Sequence, residues 1–155
     1  MTFLKTLFRA TALAAALTVS APVLAGDTDS GMIRHLMMAQ FDRLQSRLTV
    51  EPITIHKDIA VAGWAQGNMG GRALLRRHGD QWRLVLCSGD ALKEARSLQQ
   101  LGLNAEEADI MATAVVEAEA KLDSRLVAKF STFDGIMMMD EEGHHPPVNG
   151  QHSGG

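Results

Sequence analysis

Apolar positions along the chain change their period twice. Between Asp29 and Arg43, the residues Ile33, Leu36, Met37, Gln40 and Phe41 fall on one side at helical spacing, and Asp29 or Ser30 is placed to cap the helix they predict. From Leu48 the pattern shortens into four runs rich in β-branched and apolar residues: LTVEPITI, IAVAGWAQG, GRALLRRH and WRLVLCSG. HKD, NMG and GDQ separate them, and connections this short force neighbouring strands to run antiparallel. Pro52 has no N–H for a ladder, so the first strand should lie at an edge or carry a bulge. Strict alternation in the fourth run puts Trp82, Leu84 and Leu86 on one face and Arg83, Val85 and Cys87 on the other.

After Ser88 the helical period returns. Asp90 is placed to cap ALKEARSLQQL, and Gly102 to end it. Asn104 with Glu107 forms a capping box for a second helix, whose stripe is Met111, Val115, Ala118, Leu122 and Leu126, ending near Phe130. Beyond Phe133 no period continues. The layout is α+β: an N-terminal helix, a four-stranded antiparallel meander and two C-terminal helices on one face, with a single helical layer expected. A cystatin-like or nuclear-transport-factor-like cone is the nearest architecture. Residues 26–134 form the expected domain and 135–155 a flexible Met/His-rich tail.

The first 25 residues, MTFLKTLFRATALAAALTVSAPVLA, have the parts of a cleaved secretory signal: basic Lys5 and Arg9, an apolar run from Thr11 to Val19, and small residues up to Ala25. The run is too short for a span of about 20 residues, which argues against a retained anchor. Removing Lys5 and Arg9 leaves 13 basic against 18 acidic residues, a net charge of −5. No basic stripe remains except RALLRR, so nucleic acid is not an expected partner. The expected location is the periplasm, as a protein that does not span the membrane once the signal is removed.

Candidate chemistry rests on sulfur and imidazole. Cys87 is the only cysteine, so no internal disulfide can form. It stands before Ser88-Gly89-Asp90 at a helix start, where a thiolate could be stabilised; the plain alternative is a small, half-buried strand residue. A catalytic thiol would need a base from His35, His56 or His78. Met69 sits at the tip of the hairpin QGNMGGR, where a thioether gains little from packing. Met32, His35 and Met38 repeat every three residues on the first helix, most simply as core, with His35 least explained by packing.

The tail GIMMMDEEGHHPPVNGQHSGG is harder to attribute to packing. It carries Met137, Met138 and Met139, then His144, His145 and His152. Thioethers select Cu(I), and imidazole suits Cu(II). A solvated end of chance composition is the alternative.

Taken together, AVAGWAQGNMGGRALLRR (60–77), WRLVLCSGDALK (82–93) and FSTFDG before a His-rich end resemble the small exported bacterial proteins called copper uptake system-associated proteins. The resemblance covers about residues 32–147. It implies a periplasmic accessory to copper acquisition that works near copper chaperones and outer-membrane receptors, and it carries no catalytic residues across. The sequence therefore predicts a non-enzymatic copper-handling protein, with Cu(I) favoured and Cu(II) possible at the tail histidines. The candidate ligands are Met137, Met138, Met139, His144, His145, His152, Cys87, His35 and Met69. A metal-free module that docks a receptor or chaperone, and a thiol-dependent enzyme using Cys87, are the alternatives.

Overall fold

The computed structural model describes residues 25–140. The expected signal sequence, apart from Ala25, and His144, His145 and His152 lie outside the described residues. Helix α1 (Ala25–Phe41) leads into strands β1 (Leu48–His56), β2 (Ile59–Gln66), β3 (Met69–His78) and β4 (Gln81–Ser88). A 3-10 turn (Asp90–Lys93) and helices α2 (Ala95–Gln100), α3 (Ala105–Glu119) and α4 (Ser124–Phe130) follow, and strand β5 (Ile136–Met138) closes the chain. The fold is α+β, and the five antiparallel strands lie in the order β1-β2-β3-β4-β5.

The expected meander is present, but the sheet continues by one strand into the segment read as tail. Ser88, Cys87 and Leu86 of β4 pair with Ile136, Met137 and Met138. Three residues are too few to show a period in sequence. Their partner edge on β4 supplies what the pattern lacks.

The helices occupy two layers, not one. Ile33 and Met37 of α1 pack with Leu48, Val50, Ala60, Ala62, Ala73, Leu75, Trp82, Leu84 and Cys87 on one face of the sheet. Val61, Leu74 and Leu86 point to the opposite face and pack with Leu92, Leu98, Ala108, Met111 and Val115. The two C-terminal helices α2 and α3 therefore share one face as expected, while α1 covers the other.

Two bulges set which residues face which layer. In β1, Val50 pairs with Trp64 but Ile53 with Ala62, so Glu51 and Pro52 together oppose one residue. Pro52 thus sits both in an edge strand and at a bulge, where its missing N–H breaks no ladder bond. In β4 the register slips between Leu84, opposite Leu75, and Leu86, opposite Leu74. Val85 is the extra residue, and it resets the alternation. Leu86 turns to the α3 face, and Cys87 joins Trp82 and Leu84 on the α1 face. The strict alternation read from WRLVLCSG therefore fails at this point.

Several charged residues that looked like helix caps serve the tertiary structure instead. Asp29 lies inside α1, and its buried carboxylate accepts hydrogen bonds from Arg77 of β3 and from Trp82 Nε1 of β4, the latter at 3.2 Å. The Arg77 guanidinium also stacks 4.6 Å from the centroid of the Trp82 ring. Asp90 makes no cap hydrogen bond; its Oδ1 accepts from Ser131 Oγ at 2.6 Å and from Arg72 Nη1 at 3.1 Å. The helix expected over 91–101 is accordingly a 3-10 turn and a short α2, broken where Glu94 is extended. Asn104 does cap α3, accepting from Glu107 N at 2.9 Å. The stripe expected to run on to Phe130 is interrupted after Glu119, and Asp123 caps a separate α4 through Arg125 N at 2.8 Å.

Candidate functional site

The break between α3 and α4 lets the chain return across the sheet. Arg72, in the middle of β3, is fully buried with Glu119 of α3: Nε and Nη2 donate to the two carboxylate oxygens at 2.6 and 2.7 Å. The same guanidinium donates to Phe130 O at 3.4 Å and lies 5.6 Å from the centroid of the Phe130 ring. Such a two-pronged pair satisfies both ions at once, which is what allows burial inside the sheet–helix layer. Thr132 accepts a hydrogen bond from Gly70 N at 3.0 Å, and Lys129 donates to Gly67 O at 2.8 Å. Together these contacts fix the path of residues 129–133 over the β2–β3 hairpin.

Phe133 then arrives on the α1 face, edge-on to Trp64 with ring centroids 5.7 Å apart. The glycines of the hairpin make room for both aromatic arrivals. A Cβ on Gly63 would stand 2.9 Å from the Phe130 ring, and one on Gly71 would stand 2.9 Å from Trp64 Cζ2 and 3.0 Å from Phe133 Cβ. The string G-W-x-Q-G-x-x-G-G-R is thus a seat for the C-terminal segment. Its Gln66 closes the neighbouring turn, donating to Phe41 O at 2.8 Å and Ser46 O at 2.7 Å.

The seat borders a partly open cavity of about 190 Å³ between α1, the sheet and β5. Three thioethers and the thiol line it: Met37 from α1, Cys87 from β4, and Met137 and Met139 from β5 and its end. Phe41, Leu48, Trp64 and Phe133 form most of the remaining wall, with Gln66 its polar member. Cys87 and Met137 are direct cross-strand partners and share a face. Met139 is two residues further on the same side, its N–H donating to Val85 O at 2.9 Å. Met138 alternates away, opposite Leu86, and is 53 % exposed.

Cys87 is only 7 % exposed, and burial pushes its thiol up to about 12. Hydrogen bonding from Trp64 acts in the other direction and favours the thiolate. The Trp64 indole N–H is itself buried and makes no regular hydrogen bond. Among the described residues no histidine lines the cavity. His35 is exposed, two residues or about 200° round α1 from Met37, and points away from the site. Met69 pairs with Gln66 and so lies on the cavity face of the sheet, but it is outside the lining and 55 % exposed. Among the described residues no three His, Cys, Asp or Glu side chains converge as a metal site. What the cavity does bring together is four sulfur-bearing residues, Met37, Cys87, Met137 and Met139.

Met37 and Trp64 were not among the sequence-derived candidates. Met37 belonged to the core stripe of α1, and nothing in a helical stripe distinguishes a thioether that fills space from one that lines a cavity. Trp64 was visible only as part of the motif. Compared with family models, curated proteins and solved structures, the chain matches none. No helix among the described residues is long and apolar enough to cross a membrane.

Proposed function

We propose that the protein is a periplasmic copper-handling accessory of a copper uptake system, non-enzymatic, which holds one Cu(I) in the sulfur-lined cavity. The observation that carries this reading is the convergence of Cys87, Met37, Met137 and Met139 from three separate elements on one apolar space. Soft thiolate and thioether donors select Cu(I) over harder ions. Charge points the same way. One thiolate with neutral thioethers makes a neutral complex with Cu(I), whereas Zn(II) in the same set would leave a net positive charge in an apolar cavity. The Trp64 indole adds a face for a cation and an N–H for the thiolate. The resemblance to copper uptake system-associated proteins supports the same metal. Met138, exposed on the other face of the edge strand between the lining Met137 and Met139, suits transfer from a capture arm that includes His144, His145 and His152, with Cu(II) as a second cargo there.

Anaerobic titration of the full-length protein with Cu(I) against a chromophoric Cu(I) chelator tests the reading. The expected result is one tight site whose filling quenches Trp64 emission. Cys87→Ser should abolish that site, and Met137→Leu or Met139→Leu should weaken it by at least about tenfold each, since each removes one sulfur donor and even a residue that only orders a ligand is worth that much. Replacing His144, His145 and His152 with Ala should leave it intact and remove only weaker binding. Equal tight binding by wild type and Cys87→Ser would refute the cavity as the site, and absence of Cu(I) binding would favour a metal-free docking module.

A further inference from the structure

The cavity is divided unequally between parts of the fold that differ in how firmly they are held. Cys87 sits on β4, which is paired along its length to β3. Met37 sits on α1, tied to the sheet by Asp29 with Arg77 and Trp82 and by Arg34 Nε donating to Val50 O at 3.2 Å. Met137 and Met139 instead ride on β5, three residues long, at the edge of the sheet. All three β5 residues are exposed, Met137 by 39 % even though it lines the cavity. Little apolar burial therefore holds the strand, and an edge with so few buried contacts opens at low free energy.

Its attachments are local. Besides the strand register, Ser88 Oγ donates to Gly135 O at 2.7 Å and Met139 N to Val85 O at 2.9 Å. Gly135, immediately before the strand, has φ +77°, a conformation that leaves it a natural pivot between Asp134 and Ile136. Opening about this point would remove two of the four sulfur atoms and one wall of the cavity, leaving Cys87 and Met37 in place.

Resting on the copper reading above, we propose that β5 is a release strap: its docking on β4 and the loading of Cu(I) are one linked equilibrium. Copper bridges Cys87 to Met137 across the β4–β5 pair and staples the strand. Undocking presents the ion on a half-site from which an acceptor with soft donors can take it. The strap thus gives a tight sulfur site an exit that needs no unfolding of the sheet.

Amide hydrogen exchange on the full-length protein, with and without Cu(I), tests this. Residues 136–139 are expected to exchange quickly in the metal-free protein. At a free Cu(I) concentration of 100 times Kd they should slow by about 100-fold, because the ion binds only the docked state. The turn at Lys57 and Asp58, at the opposite edge of the sheet, should not change. Ser88→Ala, which removes the hook and no metal ligand, should speed metal-free exchange at 136–139 by about fivefold, the net value of one hydrogen bond, and Cu(I) should restore protection. If Cu(I) binds with Cys87 dependence but 136–139 exchange at the metal-free rate, the strap is wrong and the copper site stands. If Ser88→Ala leaves exchange unchanged, the hook is wrong and the strap falls with it. If Cu(I) does not bind, the copper reading falls and takes the strap with it.

Discussion

At the scale of single residues, Cys87 decides what the cavity can do. Its thiol is pushed up to about 12 because burial disfavours the thiolate more than the Trp64 N–H favours it. At pH 8 only about one part in ten thousand is ionised, against about a quarter of a free thiol with a pKa near 8.5. Alkylation by iodoacetamide at pH 8 should therefore run far slower than that of free cysteine, measurable as the loss of titratable thiol. A rate near that of the free thiol would show the site open. A metal replaces the proton on this thiol, so apparent Cu(I) affinity should rise about tenfold per pH unit between pH 6 and 8. The same raised pKa gives Cys87 a contribution to folding stability that is fully present below about pH 8.5 and lost as pH climbs towards 12. Gly71 is the second decisive residue. A Cβ there would meet Trp64 and Phe133, so Gly71→Ala should destabilise the fold by about 1–3 kcal/mol in denaturant titration and weaken copper binding with it.

At the scale of elements, two buried anchors hold the parts that carry the sulfur atoms. Arg72 with Glu119 fixes the α3–α4 break and so the path to β5. Glu119→Gln leaves Arg72 with the half-exposed Asp90 as its remaining counter-charge, and chemical denaturation should show a loss of about 3 kcal/mol, the low end for breaking a buried ion pair. Asp29 ties α1, and with it Met37, to β3 and β4. The Arg77 hydrogen bond holds its carboxyl below the ordinary value, assisted by Trp82 and opposed by burial. That stability is present at neutral pH and is lost as pH falls below about 4, so the wild-type thermal midpoint should drop on acidification more steeply than that of Asp29→Asn. The elements themselves were largely legible. Period and turn residues located β1 to β4 and the Asn104 cap, and Pro52 announced its bulge. The bulge at Val85 was not legible, because an extra residue in an apolar run has no sequence mark until the partner strand is paired. It is also the reason Cys87 faces α1. Glu119 left one trace: a carboxylate four residues after Val115, on the apolar stripe, which called for a buried partner such as Arg72 in mid-strand. β5 left none, since three methionines in sequence have neither period.

At the scale of the whole molecule, the sheet separates two tasks. One face packs against α2 and α3 and supplies a closed apolar core. The other carries α1, Trp64, Phe133 and the sulfur-lined cavity, closed at one side by the edge strand. The copper reading proposed above puts the cargo on that second face, with β5 as the edge proposed to detach. The reading as a metal-free docking module assigns no purpose to four sulfur-bearing residues lining one cavity. X-ray absorption at the copper edge, on full-length protein loaded anaerobically with one equivalent of Cu(I), tests the central claim most directly. The account predicts a first shell dominated by sulfur at about 2.3 Å that loses intensity in Cys87→Ser. A shell of nitrogen or oxygen neighbours alone, or a spectrum unchanged by Cys87→Ser, would contradict it.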